Sequence, residues 1–122
     1  MKHVSRFNPA THTIGIARDL SAEQVAVQAD PPVAVDGMTF GVARMQENSP
    51  HNGEMHPDGD EVLYLISGQV NIVFEEESED DVAMQPGDGV VIPAGLWHRV
   101  DIIEPSQIVY LTPGPRGAYR PL

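Results

Sequence analysis

One stretch decides the fold of this chain: Gly53-Glu54-Met55-His56-Pro57-Asp58-Gly59-Asp60-Glu61-Val62-Leu63-Tyr64-Leu65-Ile66-Ser67-Gly68. Glu54 and His56 are two residues apart, so on a strand both side chains leave the same face. The Pro-Asp-Gly-Asp sequence that follows is typical of a tight turn. Glu61 then opens an apolar run, which we expect to end in a turn at Ser67-Gly68. The stretch therefore predicts strands joined by turns, with Glu54, His56 and Glu61 as candidate metal ligands.

A second stretch further along the chain completes the candidate site: Gly87-Asp88-Gly89-Val90-Val91-Ile92-Pro93-Ala94-Gly95-Leu96-Trp97-His98. If the strands that carry the two stretches lie side by side in one barrel, four candidate ligands converge: Glu54, His56, Glu61 and His98. Two imidazoles and two carboxylates suit a divalent first-row transition metal, and we expect Fe, Mn, Ni or Zn.

The two stretches resemble the two motifs of the cupin family. The first motif is matched by His56, Glu61 and Gly68, and the second by Gly87, Pro93, Gly95 and His98. The resemblance extends from Asn48 to Ile102. It implies an all-β fold, the cupin double-stranded β-helix or jelly-roll barrel, with the site in its mouth. It also implies a homodimer.

Three positions depart from the family pattern: Glu54 replaces the first His, Asn48 a Gly, and Ile102 an Asn. We expect the last two to affect only turns. Three alternatives are open for the first: Glu54 ligates in place of the His, His51 supplies a third imidazole, or the site is weakened. We favour Glu54, because it shares the strand face of His56. His51 is five residues from His56, and this odd offset predicts the opposite face of an unbroken strand.

The composition agrees with a single β domain. The chain has 122 residues, of which 41% are hydrophobic, with 11 Gly and 11 Pro. Such a chain can bury one core, and its Gly and Pro indicate short strands joined by turns. No segment has the apolar spacing of a helix. We divide residues 1–122 into N-terminal strands over 12–35, a core barrel over about 36–112 and a Pro/Gly-rich tail over 113–122.

Several strands can be placed in advance. Alternating residues predict strands over Thr13–Arg18, Gln24–Gln28 and Met38–Glu47, with a break at Pro31-Pro32. We expect Gln69–Phe74 to pair back after the Ser67-Gly68 turn, and Gln107–Leu111 to form a separate last strand.

Leu63 and Leu65 share the face of Glu61, so they should point into the barrel. The acidic run 75–81 is expected at an exposed hairpin tip. Arg44 either recognises an acidic substrate or points outward, and we favour the outward position.

The charge excludes several partners. A net charge of −11 argues against binding to nucleic acid or to an anionic membrane. Cysteine is absent, so no disulfide or thiol chemistry is available. No apolar run is long enough to span a bilayer, and no apolar leader segment follows Lys2 and Arg6. We therefore expect a cytoplasmic protein whose partners are a small molecule and a second copy of the chain.

Two classes of function remain open. The first is a metal-dependent enzyme that acts on a small organic molecule, with dioxygenase, isomerase and lyase chemistry all open. Dioxygenase-like chemistry would make it an oxidoreductase. The second is a non-catalytic cupin module that binds a small molecule, with or without metal. The sequence assigns no catalytic residue beyond the candidate ligands.

Overall fold

The computed structural model describes residues 2–28 and 33–122. In these residues the regular structure consists of nine strands in one sheet. They are β1 (His12–Ala17), β2 (Ala22–Ala26), β3 (Gly37–Met45), β4 (Gly53–Met55), β5 (Glu61–Phe74), β6 (Val82–Met84), β7 (Gly89–Ile92), β8 (His98–Pro113) and β9 (Ala118–Arg120). No helix within the described ranges is long and apolar enough to cross a membrane.

Two long strands organise the sheet. Strand β5 has 14 residues and β8 has 16, and they pair antiparallel from Val62–Leu111 to Phe74–His98. One half of β8 also pairs with β3, and its other end pairs with β4. Strands β6 and β7 pair with the two halves of β5. This arrangement curls the sheet around a shared interior and confirms the predicted all-β, double-stranded β-helix class.

The expected turn at Ser67-Gly68 is wrong. Strand β5 continues through it, and the register with β8 shifts at three points between Leu65 and Val70. Gly68 has φ +90°, and a Cβ atom there would overlap the hydroxyl of Ser106. A glycine inside a strand often marks a bulge rather than a reversal, which explains the difference. Residues 69–74 therefore extend β5, and residues 107–111 likewise belong to the one strand β8.

The interior follows the alternation of the strands. Leu63 and Leu65 are buried, as expected for residues on the face of Glu61. Their neighbours Val62, Tyr64 and Ile66 point outward and are 38–45% exposed. The buried hydrophobic core consists of Leu63, Leu65, Val70, Ile72, Met84, Ile92 and Ile108.

The N-terminal strands lie close to their predicted places. Strand β1 pairs with both β2 and β3, so it extends the sheet beyond the barrel strands. The predicted strand over Gln24–Gln28 begins two residues earlier, at Ala22, and ends at Ala26. The break predicted at Pro31-Pro32 lies outside the described residues. The acidic run 75–81 is exposed between β5 and β6, as expected.

Candidate metal centre

The sheet brings the four candidate ligands to one place. Glu54 in β4 pairs directly with His98, the first residue of β8. His98 also pairs with Phe74 at the end of β5, so it lies between two strands. Glu61 is the first residue of β5, and His56 follows β4 by one residue. The side chains of all four therefore meet near strand ends at one side of the barrel.

The turn before His98 holds the segment between β4 and β5. The backbone N–H of Gly95 donates to the carbonyl oxygen of His56 at 3.0 Å. The backbone N–H of Ala94 donates to Oδ1 of Asp60 at 2.8 Å. Because these bonds join the two stretches on both sides of the site, they fix the position of the His56 backbone.

The donor atoms of the cluster lie close together. One ligand atom from each of the four residues lies within 4.8 Å of all the others. The Nε2 atom of His98 is 3.2 Å from Oε1 of Glu54 and 3.1 Å from Oε1 of Glu61. The Nε2 atom of His56 is 3.3 Å from Oε2 of Glu61 and 3.8 Å from Oε2 of Glu54. Such a set of donors could bind a metal ion.

The state of His56 supports this possibility. Its side chain is buried, yet neither ring nitrogen makes a hydrogen bond in the described part of the chain. Buried polar atoms normally have a partner, and a cation between the four donors would supply one for Nε2. His98 is already oriented, because its Nδ1–H donates to the carbonyl oxygen of Leu96 at 3.0 Å. This bond leaves Nε2 of His98 directed at the centre of the cluster.

Charge is concentrated within the cluster. Burial alone would raise the pKa of Glu61, but the contacts with His56 and His98 and the hydrogen bond from Thr112 lower it to about 2. Burial alone would lower the pKa of His98, but Glu54, Glu61 and the Leu96 carbonyl raise it to about 10. Without metal, a proton on His98 therefore supplies positive charge between the two carboxylates.

A cavity of about 580 Å³ opens from the cluster into the barrel. Its walls include Glu54, His56 and Glu61, whereas the fully buried His98 lies behind them. The hydroxyl of Thr112 donates to Oε2 of Glu61 at 2.6 Å, which orients that carboxylate.

The sequence predictions missed Thr112, Tyr110 and Tyr119, which all line this cavity. Alternation along β8 could have found the first two, because they share a face with Ile108. No pattern points to Tyr119, which reaches the cavity because β9 pairs with β4.

His51 is not one of the four clustered residues, but it lines the same cavity. Its Nε2 atom is 3.7 Å from Oε2 of Glu54, and its ring packs edge-on against Tyr119 at 4.7 Å between centroids. The predicted opposite face is therefore wrong. Strand β4 begins only at Gly53, after a turn with φ +65° at Asn52, so the alternation does not extend back to His51. Arg44 is exposed and does not line the cavity, as we favoured.

The chain is similar to a known protein family. The family model described as "Cupin domain" matches residues 41–112, which include all four clustered residues. Among curated proteins, none is significantly similar in sequence to this chain.

Solved structures share the fold. A cupin-2 domain protein of Shewanella frigidimarina aligns with a TM-score of 0.54 and 23% identity, over 67% of this chain and 76% of that chain. A double-stranded β-helix protein of Klebsiella pneumoniae aligns with a TM-score of 0.57 and 17% identity, over 74% and 80%. An oxalate decarboxylase variant of Bacillus subtilis aligns with a TM-score of 0.52 and 17% identity, over 64% and 21%. At these identities the similarity supports the fold alone.

Proposed function

This chain belongs to the cupin family, and we propose that it is a metal-dependent member that acts on a small organic molecule. One observation carries the proposal: the buried imidazole of His56 has no hydrogen-bond partner among the described residues, although donor atoms of Glu54, Glu61 and His98 lie close to it. Ligand sites are typically cavities of about 300–1,000 Å³ with a few polar groups among apolar walls. A cavity of about 580 Å³ is therefore large enough for a small substrate.

We assign the ion two nitrogen and two oxygen ligands, from His56, His98, Glu54 and Glu61. The bound ion would supply a Lewis acid at the cavity wall. Thr112 and the Leu96 carbonyl hold Glu61 and His98 in place, as outer partners of metal ligands commonly do. Two carboxylates cancel the charge of a divalent ion, so the ion should be a milder Lewis acid than one held by three imidazoles and one carboxylate. The oxygen ligands also favour Mn or Fe(II).

Elemental analysis of untagged protein tests metal binding. We expect about one equivalent of a divalent transition metal per chain, because four assembled donors should bind it tightly. Less than about a tenth of an equivalent, across supplements of Fe, Mn, Ni and Zn, would contradict the proposal.

Measurement of substrate turnover distinguishes a metal-dependent enzyme from a non-catalytic binding module. We propose dioxygenase-like oxidoreductase chemistry as the first branch to test, by oxygen uptake of the Fe(II) form with diketones, catechols and small acids. Uptake that depends on a compound and disappears in His98→Ala would support this branch. The same compounds are also incubated with the metal-loaded protein and analysed for isomerised or cleaved products. Metal and ligand binding without any product would favour the non-catalytic module. A cytoplasmic location stays a prediction.

We also propose that two copies of the chain associate through the outer face of the barrel, here called the outer apolar face: Val62, Tyr64, Ile66 and Val91. Val62 pairs directly with Val91 across β5 and β7, so these exposed apolar side chains are neighbours. Apolar residues grouped on an outer sheet face commonly mark an interaction surface. A second copy would cover the face symmetrically.

A further inference from the structure

We propose that the cavity selects an uncharged, oxygen-bearing compound with a hydrocarbon body, and that it discriminates against dianions such as dicarboxylates. This inference deepens the proposed function and depends on it for the position of the ion. It is carried by three features of the cavity: the placement of charge, the apolar wall, and two phenol hydroxyls.

Positive side chains are directed away from the cavity. No Lys or Arg is among the described residues that line it. Four arginines instead contact acids elsewhere, in the pairs Arg18–Asp36, Arg99–Asp101, Arg116–Asp58 and Arg120–Glu75. Glu54 and Glu61 face the cavity, and together they cancel the charge of a divalent ion. A dianion would therefore bury charge without a matching cation, which is costly.

One part of the wall beyond the cluster is apolar. Strands β3 and β8 pair Thr39 with Thr112 beside Glu61, and Ala43 with Ile108 two rows further into the barrel. Met45, Leu63 and Val100 also line this part of the cavity. The cavity thus has a polar part beside Glu61 and an apolar part formed by these side chains. A compound with an oxygen function at one end and a hydrocarbon body would match both parts.

Two phenol hydroxyls complete the cavity, those of Tyr110 and Tyr119. Neither hydroxyl makes a hydrogen bond to another group within residues 2–28 and 33–122. A phenol is ordinarily protonated at neutral pH, so both hydroxyls can donate to a ligand oxygen.

Gly41 makes room for the ring of Tyr110. The two residues pair across β3 and β8, and a Cβ atom at position 41 would overlap the Tyr110 hydroxyl. The ring therefore lies across strand β3 at the level of Gly41, close to Leu63 on the other neighbouring strand. This placement sets the hydroxyl between the polar and the apolar parts of the wall.

Three ortho-substituted benzenes of similar size test the proposal: ortho-hydroxyacetophenone, salicylate and phthalate, with charges of about 0, −1 and −2 at neutral pH. Their binding to the metal-loaded protein is measured by calorimetry after the metal content of the same sample has been determined. We expect the ketone to bind most tightly and phthalate at least about tenfold more weakly. Phthalate binding as tightly as the ketone, or no binding of the ketone, would overturn the proposal.

Variants locate the binding to the cavity. Tyr110→Phe and Tyr119→Phe should each weaken binding of the ketone by about twofold to tenfold, the effect of one hydrogen bond. Tyr64→Phe is the matched control: Tyr64 does not line the cavity, so this variant should bind the ketone with unchanged affinity. Met45→Lys should raise the affinity for phthalate relative to the ketone, whereas Met38→Lys, on the other face of β3, should not. Equal effects of each variant and its control would place the probes outside the cavity and overturn the proposal.

A failure of this inference about the ligand can be distinguished from a failure of the proposed metal centre. If the protein holds no metal, the proposed metal centre fails, and the same series is then measured on the metal-free protein. Without the divalent ion the cluster holds less positive charge beside Glu54 and Glu61, so phthalate binding should weaken further there. The reverse order of affinity in either form would overturn the inference about the ligand, whatever the metal content.

Discussion

The side chain of Asn48 accepts a hydrogen bond of 2.8 Å from the backbone N–H of Ile102. These are two of the positions at which the chain departs from the family pattern, and the fold places them in contact. The Asn48 amide also donates to Asp101 at 2.9 Å and to Asn52 at 3.1 Å. Asn48 therefore joins the loop before β4 to strand β8, in addition to any effect on a turn, and helps to position Glu54.

Replacement of Asn48 tests this connection. We expect Asn48→Ala to lower the free energy of unfolding by about 1–3 kcal/mol, because the partly buried N–H of Ile102 loses its partner. Denaturant unfolding measures the change. The control is Asn71→Ala on β5, whose side chain makes no hydrogen bond within the described residues. A loss for Asn48→Ala no larger than that of the control would show that the connection contributes little.

His98 should be essential for metal binding. Its Nε2 atom contacts both carboxylates, and the side chain is fully buried. We expect His98→Ala to weaken metal affinity by at least about a hundredfold, since loss of an outer partner alone costs up to about that much. The barrel should remain folded, because Val100 and Ile102 pack against the core nearby. Competition with a chelator measures the affinity.

The exposed His3 provides the control for His98. His3→Ala should leave metal affinity unchanged, because this residue is not part of the cluster. Full metal content in a folded His98→Ala protein would place the metal site elsewhere.

The stability of the metal-free protein should depend on pH in two directions. The raised pKa of His98 contributes stability that is complete below about 6.5 and is lost as the pH rises toward about 10. The lowered pKa of Glu61 contributes stability that is complete above about 4.5 and is lost as the pH falls toward about 2. The stability of the metal-free protein, measured by thermal unfolding, should therefore be greatest between about pH 4.5 and 6.5. A profile that is flat from pH 5 to 9 would contradict the charge distribution.

Metal should shift this profile. An ion in the cluster replaces the proton on His98, so its binding should release protons and should strengthen as the pH rises from 6 to 8. Calorimetry in buffers of different ionisation enthalpy measures the release. Metal binding without proton release would show that His98 is neutral in the metal-free protein.

The proposed dimer predicts the effect of charge on the outer apolar face. We expect Tyr64→Lys and Val91→Lys to convert a dimer into a monomer, because each buries an ammonium group at the proposed interface. Light scattering after size-exclusion chromatography measures the mass. Ile103→Lys is the control, since Ile103 is equally exposed but lies outside this face. A wild-type monomer, or dissociation by Ile103→Lys as well, would contradict the proposal.

The sequence predicted the clustered residues because they follow simple rules. Glu54 and His56 share a strand face, and the spacing of Glu61 and His98 resembles a known family. The inward position of Leu63 also followed from alternation. These features depend on local geometry and on two short motifs, which a sequence displays directly.

The incorrect predictions concern features that local sequence patterns do not determine. Gly68 resembles a turn residue, but β5 continues through it, with a shift of register against β8 that is typical of a bulge. The opposite face expected for His51 applies to an unbroken strand, and a turn at Asn52 separates His51 from β4. Tyr119 reaches the cavity through the pairing of β9 with β4, more than sixty residues apart in the sequence. Such long-range pairings have no local signal.

The metal content of variants shows most directly whether Glu54 or His51 is a metal ligand. We expect Glu54→Ala to lose most of its metal and His51→Ala to retain about one equivalent, because of these two residues Glu54 alone contributes a donor atom to the cluster. Glu54→His should keep the metal, since a third imidazole can replace the carboxylate. Elemental analysis of the wild-type protein and these three variants, purified untagged and loaded with the same ion, gives the result. Metal that is lost in His51→Ala but retained in Glu54→Ala would contradict the proposed ligand set.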